Sequence, residues 1–209
     1  MLNKKCKICR RAGTKLFLKG EKCLSPKCPM IKKNYPPGQK RKRKTRTPSE
    51  YEKELREKQK LKKWYNLDER QFKKYIKKVL AARGKVEDAS VILIQKLESR
   101  LDNIIFRLGF ATSRAQARQF VNHGHFLVNG KKINIPSYQV KKGDKVIPDP
   151  SFQKSKIFQG LKNKLKKQQI PSWLSFNPEN FEAEVKGLPV FAEAAPPAEI
   201  SAIFEYYSR

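Results

Sequence analysis

The sequence is poor in acidic residues, histidine and methionine, with 19 Asp and Glu against 48 Lys and Arg, 2 His and 2 Met in 209 residues. It also lacks any apolar run of the roughly 20 residues that a membrane-spanning helix needs. Nor does Met1 to Arg11 contain the apolar stretch of about 7–15 residues that a secretory signal carries before its cleavage site. These absences predict a soluble, cytoplasmic chain with no membrane partner. The only histidines, His123 and His125, have no Ser or Cys nucleophile beside them, and there is no Gly-rich nucleotide loop. No small-molecule substrate is expected and no catalytic residue is assigned, so the sequence reads as not an enzyme. The acidic group at Glu50, Glu52, Glu54 and Glu57 is expected to make surface pairs, Glu54 with Lys58 and Glu57 with Lys60, at helical spacing.

What is abundant is positive charge. A formal +29 repels itself, so the folded state is best tolerated beside a polyanion, and nucleic acid is the commonest one. Residues 1–85 hold 30 Lys and Arg against 7 Asp and Glu, leaving 18 against 12 for the rest, so the RNA-facing burden leans N-terminal.

Patterning predicts an α+β chain in five pieces. Residues 1–33 form a small cysteine module with little core of its own. Residues 34–48 contain Pro36-Pro37-Gly38 and the run Lys40-Arg41-Lys42-Arg43-Lys44-Thr45-Arg46. Proline opposes helix and like charge opposes collapse, which predicts an extended basic arm that orders on RNA. Residues 49–96 form a helical domain. Ser49 caps its first helix, which runs to about Tyr65, and a second starts at Asp68 and carries Phe72, Tyr75, Ile76, Val79 and Leu80 toward Gly84. The aromatics Trp64, Tyr65 and Tyr75 read as core at this spacing.

The piece 97–150 is expected to hold helix followed by a small antiparallel sheet. One amphipathic helix is expected from Asp88 to Leu108, ended by Gly109, and another from Ser113 to near Gly124. Phe126-Leu127-Val128, Asn129-Gly130 and Lys131-Lys132-Ile133 predict a hairpin, because Asn-Gly tolerates positive φ at both turn positions. A further strand is expected around Lys145-Val146-Ile147. Residues 151–209 are expected to form a basic helix to about Gln169 and a tail packing back on the helical domain.

Two constellations carry chemistry. Cys6, Cys9, Cys23 and Cys28 form C-x2-C-x13-C-x4-C, which suits one structural zinc ion held by four thiolates, with the surrounding lysines and arginines favouring deprotonation. An iron–sulfur cluster is the alternative metal centre, and disulfides are disfavoured by the cytoplasmic reading. The second constellation is basic. Arg100 and Arg107 lie seven apart on the expected helix, Arg114 and Arg118 four apart on the next, and Lys131 and Lys132 on the hairpin. Arginine forks fit phosphate oxygens, and the helix start at Ser113 adds backbone N–H groups. His123 is placed near RNA with them, as are Lys40, Arg41 and Arg43 of the arm and Tyr51, Arg56 and Lys60 of the first long helix.

The stretch Leu97 to Ile147 resembles the S-four RNA-binding domain. Pro36-Pro37-Gly38, Pro48-Ser49-Glu50-Tyr51, Leu55-Arg56-Glu57-Lys58-Gln59-Lys60, Glu69-Arg70-Gln71-Phe72, Trp173-Leu174 and Tyr207-Ser208-Arg209 extend the resemblance to the bacterial ribosomal protein S-four family over nearly the whole chain. The cysteines resemble its zinc-binding branch. The resemblance implies a constituent of the small ribosomal subunit that binds the five-prime domain of 16S-type rRNA and nucleates assembly. It further implies a place near the mRNA entry channel, an influence on translational accuracy, and neighbouring small-subunit proteins and mRNA as further partners.

Overall fold

The computed structural model describes residues 4–38, 47–81, 88–165 and 168–208. The basic run with Lys40, Arg41 and Arg43, and the expected helix end at Gly84, lie outside them. The chain divides into two compact units, residues 1–90 with 196–209 and residues 91–195. The C-terminal stretch expected as one piece over 151–209 is thus shared between them. Residues 151–195 continue the second unit, because they supply strands and core to its sheet.

The first unit opens with three short helices, α1 (Lys4–Ala12), α2 (Glu21–Leu24) and α3 (Pro29–Lys32). Two long helices follow, α4 (Glu50–Trp64) and α5 (Glu69–Ala81). Ser49 caps α4 as expected, its hydroxyl accepting from the Glu52 N–H at 3.3 Å. One face of α5 buries Phe72, Ile76 and Val79, the i, i+4, i+7 set that its pattern predicts. Trp64 and Tyr65 are buried at the end of α4, with ring centroids 4.7 Å apart.

In the second unit the single helix expected over Asp88 to Leu108 is broken into α6 (Ala89–Glu98) and α7 (Leu101–Arg107). Arg100 is extended, with φ −70° and ψ 139°, and bridges to Gln139. Around it the Val140 N–H donates to the Ser99 carbonyl at 2.9 Å and the Leu101 N–H to the Tyr138 carbonyl at 2.9 Å. Pairing with a distant segment therefore outweighs local helical periodicity at residues 99–100. The expected end at Gly109 is kept, with φ +87° and the Phe110 N–H reaching back to the Ile105 carbonyl at 3.2 Å.

Helix α8 (Arg114–Asn122) is capped by Ser113 and leads into β1 (Phe126–Val128), β2 (Lys131–Lys132) and β3 (Lys145–Pro148). Asn129 and Gly130 both take positive φ, 50° and 78°, and Val128 pairs with Lys131. The rest of this unit holds α9 (Pro150–Gln153), α10 (Lys156–Leu165), β4 (Leu174–Asn177), β5 (Glu182–Val185) and α11 (Phe191–Ala194). Strands β4 and β5 lie in what was expected as a tail packing back on the helical domain, and they instead complete a five-stranded sheet of order β2-β1-β3-β5-β4. Their short alternation, with Ala183 and Val185 buried and Glu184 exposed, is the period-2 signal of a half-buried strand. The core joins Leu101, Ile104, Ile105 and Leu108 of α7 and its end to Phe110, Phe126, Val146, Phe158 and Trp173. Helix α12 (Ile200–Ser208) returns to the first unit and packs on α4. No helix among the described residues is long and apolar enough to cross a membrane.

Candidate nucleic-acid interface and thiol cluster

The N-terminal helices gather the cysteines. Cys6 and Cys9 lie about one turn apart on α1, Cys23 sits in α2, and Cys28 precedes Pro29 at the start of α3. All four are free thiols, and Cys9, Cys23 and Cys28 are buried. They line one cavity of about 10 Å³, room for a single ion or water. Among the described residues, however, no three His, Cys, Asp or Glu side chains converge at metal-holding distances as they stand. Burial pushes the Cys9 and Cys23 thiols above their ordinary range, and the neighbouring thiols add to it, while backbone N–H groups of Leu16 and Lys19 pull the other way. The nearby cations expected to favour deprotonation are outweighed at these two positions by desolvation.

Three of the arginines expected to face RNA are engaged inside the second unit. Arg100 is 1 % exposed and forks onto Asp102, Nε to Oδ1 at 3.0 Å and Nη2 to Oδ2 at 2.6 Å. Arg107 forks onto Glu98 at 2.8 and 2.9 Å and donates to the Ala194 carbonyl at 3.1 Å. Arg114, also buried, donates to Asn103 Oδ1 at 2.7 Å and lies 4.5 Å over the Phe106 ring. Glu98, itself 1 % exposed, accepts from the Asn103 amide as well as from Arg107. The helix break removes the common face on which the Arg100 and Arg107 spacing was read. The N–H groups at the α8 start are also partly used, since the Ser113 hydroxyl accepts from Gln116 and the Gln116 amide oxygen accepts from the Thr112 N–H.

The remaining groups lie nearer the surface. Arg118 on α8 is half-buried, and His123, Lys131 and Lys132 are exposed. Gly124, at φ +68°, brings the end of α8 against β2 so closely that a Cβ there would stand 2.6 Å from Lys132 Cε. Beside it His125 stacks on Phe152 with centroids 4.5 Å apart. Desolvation lowers its pKa, and neighbouring His123 and Lys132 lower it further, which favours the neutral imidazole. Two exposed lysines that sequence reasoning missed, Lys141 and Lys142, lie at the opposite end of β1, beside the Asn129-Gly130 turn. The Asn129 amide donates to Asp144 at 2.8 Å, while Asp144 accepts from the Lys141 N–H at 2.8 Å, tying the two turns together. The doublet before the Gly143-Asp144 turn was the signal available for them.

In the first unit Arg56 is exposed on α4, and Lys60 pairs with Glu57 at 2.5 Å, as expected from their spacing. Lys58 does not take the expected Glu54. It reaches Glu69 on α5 at 2.8 Å and lies 4.5 Å over the Tyr206 ring. Tyr51 stands against Tyr206, ring centroids 5.5 Å apart, so its ring serves the contact of α4 with α12. Burial alone would raise the Glu69 carboxyl, but hydrogen bonds from Lys58, Lys62 and Tyr207 hold it down at about 2.

Comparison with known proteins completes the picture. Residues 1–98 match the ribosomal protein S4/S9 N-terminal domain, and residues 99–146 match the S4 domain. The chain is 45 % identical over 204 residues to small ribosomal subunit protein uS4 of Natranaerobius thermophilus, covering 98 % of this chain and 96 % of that one. It is 43 % identical to the uS4 protein of Thermus thermophilus over 204 residues, with the same coverage. The uS4 protein of a Thermoanaerobacter species is 44 % identical over 205 residues, again covering 98 % and 96 %. With both domain types in order and similarity along nearly its whole length, the chain belongs to the ribosomal protein uS4 family and is not an enzyme.

Proposed function

We propose that this chain is a cytoplasmic structural constituent of the small ribosomal subunit that binds 16S-type rRNA. The observation that carries the reading is similarity over 98 % of the chain to proteins named small ribosomal subunit protein uS4. The charge of +29 supports it, because a polyanion offsets the self-repulsion. In this reading the five-prime domain of the rRNA is the primary partner, binding nucleates subunit assembly, and the chain sits near the mRNA entry channel and contributes to accuracy. Neighbouring small-subunit proteins and mRNA are its further contacts.

The mechanism divides the basic residues. Lys131, Lys132, Lys141, Lys142, His123 and Arg118 position phosphates on the second unit, and Arg56 and Lys60 do so on α4. Arg100, Arg107 and Arg114 act through the fold, holding α6, α7 and α8 so that the hairpin is presented rigidly. In this reading the shape of an RNA junction gives most of the discrimination, and reading of base edges is minor. The basic run with Lys40, Arg41 and Arg43 adds further phosphate contacts.

One zinc ion on Cys6, Cys9, Cys23 and Cys28 belongs to the same proposal. The support for it is the C-x2-C-x13-C-x4-C spacing and the lining of one small cavity by all four cysteines, with an iron–sulfur cluster as the alternative metal centre. When bound, the ion supplies cross-links between α1, α2 and the start of α3, a segment with little core of its own. The four cysteines would hold it as thiolates, with their protons released to solvent.

The assignment is tested by competition binding at rising salt between small-subunit and large-subunit rRNA. Preference for small-subunit rRNA that persists as overall affinity falls supports it. Equal affinity for both RNAs would show non-specific phosphate binding and contradict it.

A further inference from the structure

A groove of about 320 Å³ runs between α1 and α4. Its floor is apolar: Ile8 and Ala12 come from one helix, Leu55 from the other, and Leu16 closes it from the loop that follows α1. The spacing explains the alignment, because residues 8 and 12 share one helix face, as do residues 55 and 59. Its rim is cationic. Arg11, Arg56, Lys60 and Lys63 surround the floor, and no carboxylate among the described residues lines it. Lys60 is paired with Glu57, so Arg11, Arg56 and Lys63 give the rim most of its field.

We propose that this groove receives a single unstacked nucleotide of the bound RNA, its base on the apolar floor and its phosphates on the arginine and lysine rim. The inference rests on the RNA-binding reading above and adds a subsite to it. A duplex backbone would use the cations and leave the apolar floor idle. An apolar protein segment would use the floor and leave three cations without a purpose. A nucleotide has both parts, and single-stranded bulges and junctions can splay bases out in this way. The groove volume lies at the lower end of the range of about 300–1,000 Å³ typical of small-molecule sites. Gln59, on the groove wall, offers an amide donor and acceptor to the base edge.

The test uses the full chain and small-subunit rRNA in filter binding over a series of salt concentrations. Ala12→Phe fills the floor without changing charge. It should weaken binding by at least about tenfold, the scale of losing one base contact, with the salt slope unchanged. Arg11→Ala combined with Arg56→Ala should reduce the slope by about two. In the wild-type complex, 4-thiouridine-substituted rRNA should photo-cross-link to peptides of α1 and α4.

Unchanged affinity of a normally melting Ala12→Phe overturns the proposal whatever the arginines do, since the groove then serves phosphate contact or a protein neighbour. If Ala12→Phe melts abnormally, the wild-type cross-link map decides, and absence of cross-links on both helices overturns the proposal. A wild-type chain with no preference for small-subunit rRNA defeats the underlying assignment instead, and that result needs no variant to be seen.

Discussion

The carboxylate of Glu98 at the end of α6 and the guanidinium of Arg107 at the end of α7 form a two-pronged pair, Nε 2.8 Å from Oε2 and Nη2 2.9 Å from Oε1. The pair spans the helix break, and the Asn103 amide donates to the same buried carboxylate. Removing one member of such a network leaves its partners desolvated and unpaired. Glu98→Ala is therefore predicted to destabilise the protein by about 3–5 kcal/mol in urea unfolding. A loss below about 1 kcal/mol, the scale of an exposed ion pair, would contradict the framework role.

Burial separates the fates of two basic residues that the sequence placed in one set. Arg100 is the fork partner of Asp102, whose carboxyl burial pushes upward against the pull of that fork. Arg100→Ala should lower the melting temperature clearly and leave the salt dependence of RNA binding unchanged at temperatures where the fold persists. Lys131→Ala, at an exposed strand position, should do the reverse, with an unaltered melt and a salt slope reduced by about one. Melting curves and salt-series binding on the same two proteins check the pair. A reduced slope for Arg100→Ala measured on folded protein counts against its interior role.

Stability at acid pH should carry the signature of Glu69. Its folded pKa of about 2 lies below the ordinary 4.5, so the proton is held more tightly by the unfolded chain. The contribution to stability is then fully present above about pH 4.5 and is lost as pH falls toward 2. Glu69→Gln should flatten the difference between melting temperatures at pH 5 and pH 3 relative to wild type. Parallel curves for the two proteins over that window would show that Lys58, Lys62 and Tyr207 do not hold the carboxylate as described.

Local chemistry was readable in the sequence where it decides structure by itself. Ser49 and Ser113 cap helices at their predicted positions, and Asn129-Gly130 turns a hairpin because few other dipeptides accept positive φ twice. What escaped was set by distant partners. Periodicity continued smoothly through Ser99-Arg100, and nothing local announced that residues 136–140 would pair there. Residue type also misled, since an arginine reads as surface until a buried carboxylate claims it, and Glu98 and Asp102 were such claimants. Strands β4 and β5 are only four residues each, too short for their alternation to stand out from a tail.

The thiol cluster should behave as a metal staple. Purified protein is expected to hold about one zinc per chain, measured by elemental analysis, and chelation should make residues 1–33 protease-sensitive while the second unit stays resistant. Because burial raises the Cys9 and Cys23 thiols, zinc added to stripped protein should release protons in unbuffered solution. Cys23→Ser should lower zinc affinity. Unchanged protease resistance after complete chelation would remove the staple from the account.

The most direct test of the central claim is co-sedimentation of the tagged full-length chain with ribosomal subunits through a high-salt wash, where non-specific phosphate binding weakens steeply. The account predicts retention on the small subunit alone. Release from that subunit at a salt concentration that leaves established rRNA-binding proteins in place, or equal retention on both subunits, would contradict it.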